Sequence, residues 1–243
     1  MADSSPTDLA IRVEGLSKAF GRTSVLRSLE LDVPWGQVLT LLGPNGSGKT
    51  TLLKILATLS TADSGRVRIA GLDAAVQGPR VRRNIGVVTH DPLLYEDLTG
   101  RENLRFFARM FGLRDAGERI ETVAALMGMT SRLDQRVGTM SHGMRKRFSI
   151  ARAMLHEPAI LLMDEPESGL DQEALGMLDA VISEGSNPGR TVVMTTHSLE
   201  RAIAVGQRMA ILANGKVAYQ ESLRNAGTDA IRDAYERHTG VVP

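Results

Sequence analysis

A glycine-rich stretch of eight residues carries the clearest chemical signal in the sequence. Residues 43–50 match the phosphate-binding pattern G-x-x-x-x-G-K-[ST] in full. Glycines permit the positive φ angles that turn successive backbone N–H groups toward one anion. The amine of Lys49 would reach the β- and γ-phosphates of a nucleoside triphosphate, and the Thr50 hydroxyl would be a ligand of Mg²⁺. The sequence therefore predicts a triphosphate site formed by Gly43, Pro44, Asn45, Gly46, Ser47, Gly48, Lys49, Thr50 and Thr51.

Further groups that could do chemistry follow two apolar runs later in the chain. Residues 159–163 lead into Asp164 and Glu165, and residues 191–196 lead into His197. Open α/β sheets place their chemistry at the carboxyl ends of such strands. Asp164 would hold Mg²⁺, Glu165 would be the general base for an attacking water, and His197 would contact the γ-phosphate. Taken singly, the carboxylates could also form only a turn, and the histidine could be a satisfied core residue.

The elements that must position these groups follow from the hydrophobic pattern. An apolar, β-branched run at 37–42 predicts a buried strand before the phosphate loop, and helical spacing over 51–57 predicts a helix after it. This is the context that the motif requires. An Asn-Gly turn between two alternating segments predicts a late hairpin. Strands are predicted at 11–16, 25–33, 66–70, 85–89, 159–163, 191–196, 209–213 and 216–219.

A helical segment interrupts this alternation of strands and helices. Residues 101–112 have an apolar face formed by Leu104, Phe107, Ala108 and Phe111. Further helices are predicted over 118–129 and 148–155, so we expect a helical insert over about 93–155. Phe106 lies off the apolar face and could be a contact surface. We assign residues 1–8 to a disordered lead-in, 9–221 to one domain, and 222–243 to a C-terminal helical tail.

Composition limits the classes of function that the chain can have. Its 243 residues include 29 basic and 28 acidic residues, a formal charge of +1. That balance gives no electrostatic case for nucleic acid as a partner. Cysteine is absent, so disulfides and thiolate metal sites are excluded. The polar N-terminus is unlike a signal peptide, and no apolar run approaches the roughly 20 residues that cross a bilayer. If the protein serves a membrane, we expect it to be peripheral.

Two short motifs add specificity. Residues 140–144 read Met-Ser-His-Gly-Met, and residues 168–171 read Ser-Gly-Leu-Asp. With the phosphate loop and the Asp-Glu pair, they resemble the nucleotide-binding subunits of ABC transporters, from about residue 11 to 219. In that resemblance residues 43–50 look like Walker A, 160–165 like Walker B with its catalytic glutamate, 140–144 like the signature and 168–171 like the D-loop. His197 looks like the switch histidine.

The resemblance implies an architecture and a set of partners. The expected fold is α/β, a P-loop NTPase core of mixed sheet and flanking helices, with an antiparallel β subdomain and an inserted α-helical subdomain. It implies a head-to-tail dimer, homotypic or heterotypic, with two ATPs at the interface. Each ATP would meet the Walker motifs of one subunit and Ser141 and Gly143 of the other. The partner would be a transmembrane permease at the cytoplasmic face of the cell membrane.

The side chain of Phe20 has two interpretations. We predict that residues 18–21 form a turn between two strands. An aromatic ring there could be a core plug, or a face on which adenine stacks, and the stretch alone leaves both open. The resemblance places Phe20 where the family stacks adenine.

Three positions depart from the family pattern. The signature keeps only the serine and the second glycine of the commonest form. His90 stands where most members have the glutamine that touches Mg²⁺, so we predict His90 as a further group at the metal. Glu167 stands where threonine or phenylalanine is usual. The first two departures, with residues 94–104, resemble the ATPase of haem-export systems for cytochrome c biogenesis. They are similar as well to the ATPases of drug and polysaccharide exporters.

The sequence is compatible with three classes of function. The first is an ATPase that binds ATP and Mg²⁺ and drives a separate transmembrane subunit, with haem export as its cargo class and drug or polysaccharide export as the alternative. The second is an ABC ATPase that acts on ribosomes or DNA. Such members carry tandem domains or a long coiled coil, and this sequence has neither. The third is a nucleotide-gated binding module, which the presence of Glu165 disfavours.

Overall fold

Two β-sheets organise the computed structural model, which describes residues 9–185, 190–223 and 227–240. Residues 1–8, the predicted lead-in, lie outside this part of the chain. The strands are β1 (Leu9–Phe20), β2 (Thr23–Pro34), β3 (Val38–Leu42), β4 (Ser64–Ile69), β5 (Leu72–Asp73), β6 (Ile85–Val88), β7 (Ile160–Asp164), β8 (Thr191–Thr195), β9 (Arg208–Ala213) and β10 (Lys216–Ser222). The helices are α1 (Lys49–Leu56), α2 (Gly78–Asn84), α3 (Gly100–Met110), α4 (Gly117–Leu126), α5 (His142–Met154), α6 (Gln172–Gly185), α7 (Leu199–Val205) and α8 (Thr228–Thr239). Within the described ranges, no helix has the length and apolar character of a membrane span.

Six strands form the central sheet, in the order β10-β9-β3-β8-β7-β6. All neighbours are parallel except the β9–β10 hairpin. Every residue of β3, β7 and β8 is buried. Strands covered on both faces have continuous apolar sequences, and this is why the three runs are recognisable without the structure. Parallel strands also bring their carboxyl ends to one edge, so Gly43, Glu165 and His197 follow neighbouring strand ends.

An antiparallel sheet covers the helix that follows the phosphate loop. Its order is β2-β1-β4-β5. One buried cluster joins Ile11 and Leu29 of this sheet, Leu52 and Leu56 of α1, and Leu41 of the central sheet. Helix α1 is therefore held between the two sheets, which fixes the position of the phosphate loop at its start. The predicted α/β fold, with a mixed central sheet and an antiparallel β subdomain, is confirmed.

Helices α3, α4 and α5 fall within the predicted insert. Leu104 and Ala108 are buried, and the half-buried Phe107 packs against the same cluster as Phe148 of α5. Phe111 stacks on the His156 ring, with centroids 3.7 Å apart. Thr99 and Glu102 form a reciprocal capping box at the start of α3. The apolar face predicted for residues 101–112 is thus the packing face, while Phe106 is exposed.

Two local predictions are wrong, for identifiable reasons. Residues 18–20, predicted as part of a turn, continue β1, because Phe20 pairs with Thr23 across a two-residue turn. The helix predicted over 148–155 begins six residues earlier, at His142. Its start is set by Ser141, whose hydroxyl accepts a hydrogen bond from the Met144 N–H at 3.3 Å.

Helix α8 packs on the central sheet in a third buried cluster, separate from the two described above. Ile231, Ala234 and Tyr235 are buried there together with Leu42 of β3 and Ile211 of β9. Part of the predicted tail, residues 224–226 and 241–243, lies outside the described residues. Four charged residues of α8, Asp229, Arg232, Asp233 and Arg237, are exposed, which makes the apolar face of the helix easy to overlook in the sequence.

Truncation of Ile231 tests how far α8 contributes to the core. Ile231→Ala should lower the free energy of unfolding by about 2–4 kcal/mol, because it removes buried methyl groups and leaves a cavity. Denaturant unfolding measures this change. Asp233→Ala is the matched control, since Asp233 is exposed on the same helix. Equal stability of the Ile231 variant and the wild type would mean that the helix adds nothing to the core.

Candidate functional site

The backbone of the phosphate loop lies against two neighbouring strands. Gly43 has φ 148° and Gly48 has φ 109°. A Cβ added at Gly43 would lie 2.2 Å from the Leu212 carbonyl oxygen of β9, and one at Gly48 would lie 2.7 Å from a methyl carbon of Leu26 in β2. Both positions therefore exclude side chains, by backbone conformation and by space. Strand β9 on one side and strand β2 on the other therefore confine the loop.

The amine of Lys49 is folded back over this loop. It donates hydrogen bonds to the carbonyl oxygens of Gly43, at 2.6 Å, and Pro44, at 3.1 Å. Burial lowers the pKa of the Lys49 amine, and the carboxylates of Glu165 and Asp164 oppose that effect by raising it. The nearby carboxylates thus favour the charged form of the one cation that the motif supplies.

Asp164 and Thr50 come together at the start of α1. The Thr50 hydroxyl lies 3.3 Å from Asp164 Oδ1, which also accepts a hydrogen bond from Thr195 Oγ1 at 2.7 Å. The described residues contain no group of three histidine, cysteine or acidic side chains that could hold a metal on its own. One carboxylate and one hydroxyl suit Mg²⁺, which keeps several waters and takes further oxygens from phosphates. These donors fit a nucleotide-bound Mg²⁺.

Glu165 and His197 contact each other across the ends of β7 and β8. Glu165 Oε1 and His197 Nε2 are within hydrogen-bond reach. The Glu165 N–H donates to Thr195 Oγ1 at 3.0 Å. Glu165 has φ 46°, in the left-handed region, where non-glycine residues are strained. The strain is consistent with a carboxylate held for a chemical role, because such backbone outliers cluster at functional sites.

A cavity of about 270 Å³ unites most of the predicted site. Its lining includes Phe20, Val25, residues 45–51, Glu165 and His197. Phe20 is 56% exposed, so its interpretation as a core plug is wrong. Adenine stacking on Phe20 stays a prediction, and the ring is already flanked by the Lys18 amine, 5.4 Å from its centroid.

Three predicted residues lie elsewhere. Ser141 is the exposed N-cap of α5, and Gly143 is in its first turn. A Cβ at Gly143 would lie 2.8 Å from the Gly169 carbonyl oxygen. His90 is exposed in the loop after β6. Within the described part of the chain, the lining of the cavity includes none of these three residues. Their roles toward ATP or Mg²⁺ therefore stay predictions.

Sequence reasoning missed three polar residues that the fold places around the carboxylates. Thr195 ends β8 and Thr196 follows it, and both donate to acidic side chains. Lys146 of α5 is 1% exposed. A signal for Lys146 was available, since its spacing from the buried Ile150 and Ala153 puts it on the core face of the helix. The threonines look like ordinary β-branched strand residues, so nothing in their pattern separates them.

Comparison with known proteins identifies the family. A family model described as ABC transporter matches residues 26–168. The uncharacterized ABC transporter ATP-binding protein YdbJ of Bacillus subtilis is 37% identical over 220 residues, which are 90% of this chain and 70% of that protein. A daunorubicin resistance ATP-binding protein of Streptomyces coeruleorubidus is 39% identical over 85% of this chain and 65% of its own length. A Nod factor export ATP-binding protein of Rhizobium is 35% identical over 86% of this chain and 69% of its own length.

Solved structures agree with the sequence comparison. An ATP-binding subunit of an ABC transporter has a TM-score of 0.85 and 29% identity, with 93% of this chain and 99% of that chain covered. A dimeric ATP-binding cassette in a post-hydrolysis state, bound to ADP and Pi, has a TM-score of 0.80 and 26% identity, over 89% of this chain and all of that one. The chain belongs to the ABC transporter family as an ATP-binding subunit. It is an ATP hydrolase, as the sequence predicts.

Replacement of Lys49 tests the phosphate loop. Lys49→Ala should abolish tight ATP binding, because it removes the cation that balances the β- and γ-phosphates. Titration of the isolated variant with ATP measures the loss. Lys54→Ala, a change of an exposed lysine in the same helix, is the matched control. Unchanged ATP affinity in the Lys49 variant would contradict the assignment of the loop.

Proposed function

We propose that this chain binds ATP with Mg²⁺ and hydrolyses it with Glu165 as general base, to drive a separate transmembrane permease. The contact between Glu165 and His197 at the mouth of the phosphate loop is the observation that carries the proposal. A carboxylate oriented by an imidazole, beside a loop that cradles phosphates, is suited to activate water for attack on a γ-phosphate.

The residues of this chain divide the reaction among them. The loop amides and Lys49 bind the triphosphate, while Thr50 and Asp164 would hold Mg²⁺. When bound, the metal supplies positive charge that neutralises the β- and γ-phosphate oxygens. Glu165 accepts the proton of the attacking water, and His197 keeps that carboxylate aimed at the loop. Because catalysis of phosphoryl transfer is mainly positioning and charge stabilisation, these roles account for hydrolysis.

The second half of each site would come from another subunit. Ser141 and Gly143 stand at the start of α5, away from the cavity of their own chain, where the helix dipole and free N–H groups favour an anion. One structural relative is a dimer bound to ADP and Pi. We infer a head-to-tail dimer, homotypic or heterotypic, in which this helix start faces the γ-phosphate of the partner's ATP.

The permease and its cargo are inferred from the relatives. Two of them are named for daunorubicin resistance and Nod factor export. We therefore favour a drug or polysaccharide-type exporter over haem export for cytochrome c biogenesis, which rests on His90, the altered signature and the resemblance of residues 94–104. The chain would work as a peripheral subunit at the cytoplasmic face of the cell membrane. With a formal charge of +1, nucleic acid is not among its proposed partners.

Glu165→Gln tests the general base. The variant should bind Mg-ATP normally but hydrolyse it at least about a hundredfold more slowly, the usual scale for losing a general base. Bound ATP would then hold the dimer closed. Turnover and the ATP-dependent mass of the particle measure the two effects. Near-normal hydrolysis would move the base elsewhere, with His197 the next candidate.

Ser141→Arg tests whether this helix start acts on the other subunit's ATP. The long cationic side chain should block the composite site and hydrolysis, while each monomer keeps its ATP affinity. Mixed with Lys49→Ala, the variant should recover some activity, because one heterodimeric site is then intact. Ser131→Arg, at an exposed serine of the insert, is the control. Loss of ATP binding in the isolated Ser141 variant would place the serine in its own subunit's site.

A further inference from the structure

A third carboxylate, that of Glu167, lies next to the site and has no role in the mechanism above. Its Oε1 accepts a hydrogen bond from Thr196 Oγ1. Its Oε2 is buried and finds no hydrogen-bond partner in the described part of the chain. A buried carboxylate oxygen without a partner is unfavourable. The hydrogen bond between Glu167 Oε1 and Thr196 therefore holds the Glu167 side chain in this buried position.

Thr196 connects this carboxylate to the loop that carries the histidine. Its hydroxyl donates its single proton to Glu167, and a lone pair accepts the Ser198 N–H at 3.1 Å. Ser198 in turn caps α7 by accepting the Arg201 N–H at 3.0 Å. The residue between Thr196 and Ser198 is His197. The Thr196 hydroxyl therefore links the two residues on either side of His197, and the Glu167 carboxylate orients that hydroxyl by accepting its proton.

The Glu167 carboxylate also raises the pKa of Lys146, a buried lysine of α5. The Lys146 amine donates to the carbonyl oxygens of Thr89, at 3.3 Å, and Asp164, at 3.5 Å. Burial lowers the pKa of the Lys146 amine, and Asp164, Glu167 and Glu165 raise it. Glu167 thus favours the ammonium form of a lysine that joins α5 to the end of β7.

We propose that Glu167 is a positioning residue of this ATPase site: through the Thr196 hydroxyl, its carboxylate holds the loop of His197 in place. The histidine can then keep its contact with Glu165. This inference rests on the proposed roles of His197 and Glu165 in hydrolysis. It assigns a function to a carboxylate at a position where threonine or phenylalanine is usual in the family that the sequence resembles.

Steady-state ATPase kinetics of the full chain test the proposal. Glu167→Leu keeps much of the side-chain volume but cannot accept the Thr196 proton. It should lower kcat about 10- to 100-fold, the scale for a misplaced catalytic group, with KM for ATP changed less than about twofold. Glu167→Gln keeps an acceptor oxygen and should recover kcat to within about threefold of the wild type. Glu173→Leu, at an exposed glutamate of α6, is the control and should match the wild type.

The hydroxyl partner provides a second, independent arm. Thr196→Val should lower kcat like Glu167→Leu, and Thr196→Ser should restore it. The double variant Glu167→Leu with Thr196→Val should be no slower than Thr196→Val alone, because that variant has already lost the hydrogen bond to Glu167, together with the one from the Ser198 N–H. If thermal melting shows that Glu167→Leu is unfolded, the Thr196 pair decides alone. Three results would overturn the proposal. The first is a wild-type kcat in a folded Glu167→Leu or in Thr196→Val, and the second is an equal loss of kcat in Glu167→Gln. The third is a double variant in which the losses of the two single variants add as free energies.

Glu165→Gln, assayed in parallel, separates this inference from the proposed function. Normal hydrolysis by Glu165→Gln overturns the assignment of Glu165 as the general base. The proposed function of Glu167 then falls as well, because it depends on the contact of His197 with that base. An inactive Glu165→Gln together with wild-type kcat in a folded Glu167→Leu overturns only the positioning role.

Discussion

In the proposed site a triphosphate would bind beside two carboxylates, and this electrostatic conflict underlies the arrangement of the site. Asp164 and Glu165 end the same strand, and both lie near the Lys49 amine. Burial alone would favour the neutral amine, but the carboxylates raise its pKa and so oppose its deprotonation. The groups that would repel the phosphates thus help to maintain the cation that would attract them. The remaining attraction would come from the loop amides and the start of α1, which cannot titrate.

The carboxylates of Asp164 and Glu167 are held by neutral hydroxyl groups. Strands β7 and β8 pair in parallel, with Asp164 opposite Thr195. Thr195 donates to Asp164, and Thr196 donates to Glu167. A cation at either threonine would compete with Lys49 and Mg²⁺ for the same carboxylates, whereas a hydroxyl orients an oxygen and leaves its charge available. The pair of threonines is therefore suited to a site whose acidic groups must remain free to meet cationic partners.

The predictable part of this structure is the part encoded by local spacing. The phosphate loop, the buried runs that become β3, β7 and β8, and the late hairpin each depend on neighbouring residues, and each can be located in the sequence. Contacts between distant residues cannot be located this way. The bond between Thr195 and Asp164 joins positions 31 residues apart. Its existence depends on the register of two parallel strands, which no local pattern specifies.

Element boundaries fail for a related reason. The end of β1 is decided by its pairing with β2, and the start of α5 by a hydroxyl at an N-cap that an apolar pattern does not register. The packing of α8 on the central sheet is likewise a tertiary outcome, since three buried side chains among charged neighbours form a weak signal. Motifs can therefore be identified from the sequence where element boundaries cannot, because a motif is defined by the types and spacing of its own residues.

Helix α5 is tied to other parts of its own chain at several points. Arg147 of α5 donates two hydrogen bonds to the Asp171 carboxylate, at 2.7 and 2.8 Å. The Ala174 N–H and the Arg147 guanidinium hold the pKa of that carboxyl below its usual value. Gly143 approaches the Gly169 carbonyl so closely that a methyl group would not fit between them. A displacement of α5 must therefore move the segment that follows Glu167 or break these contacts.

This connection has a consequence for the proposed dimer. If the start of α5 meets the partner's γ-phosphate, loss of that phosphate removes one contact of a helix that Lys146 also joins to the ends of β6 and β7. In such a dimer, the state of one nucleotide site would then be transmitted to the other through hydrogen bonds within a single chain. Coupling between the two ATP sites would therefore reside in the attachment of α5, more than in the phosphate loops themselves.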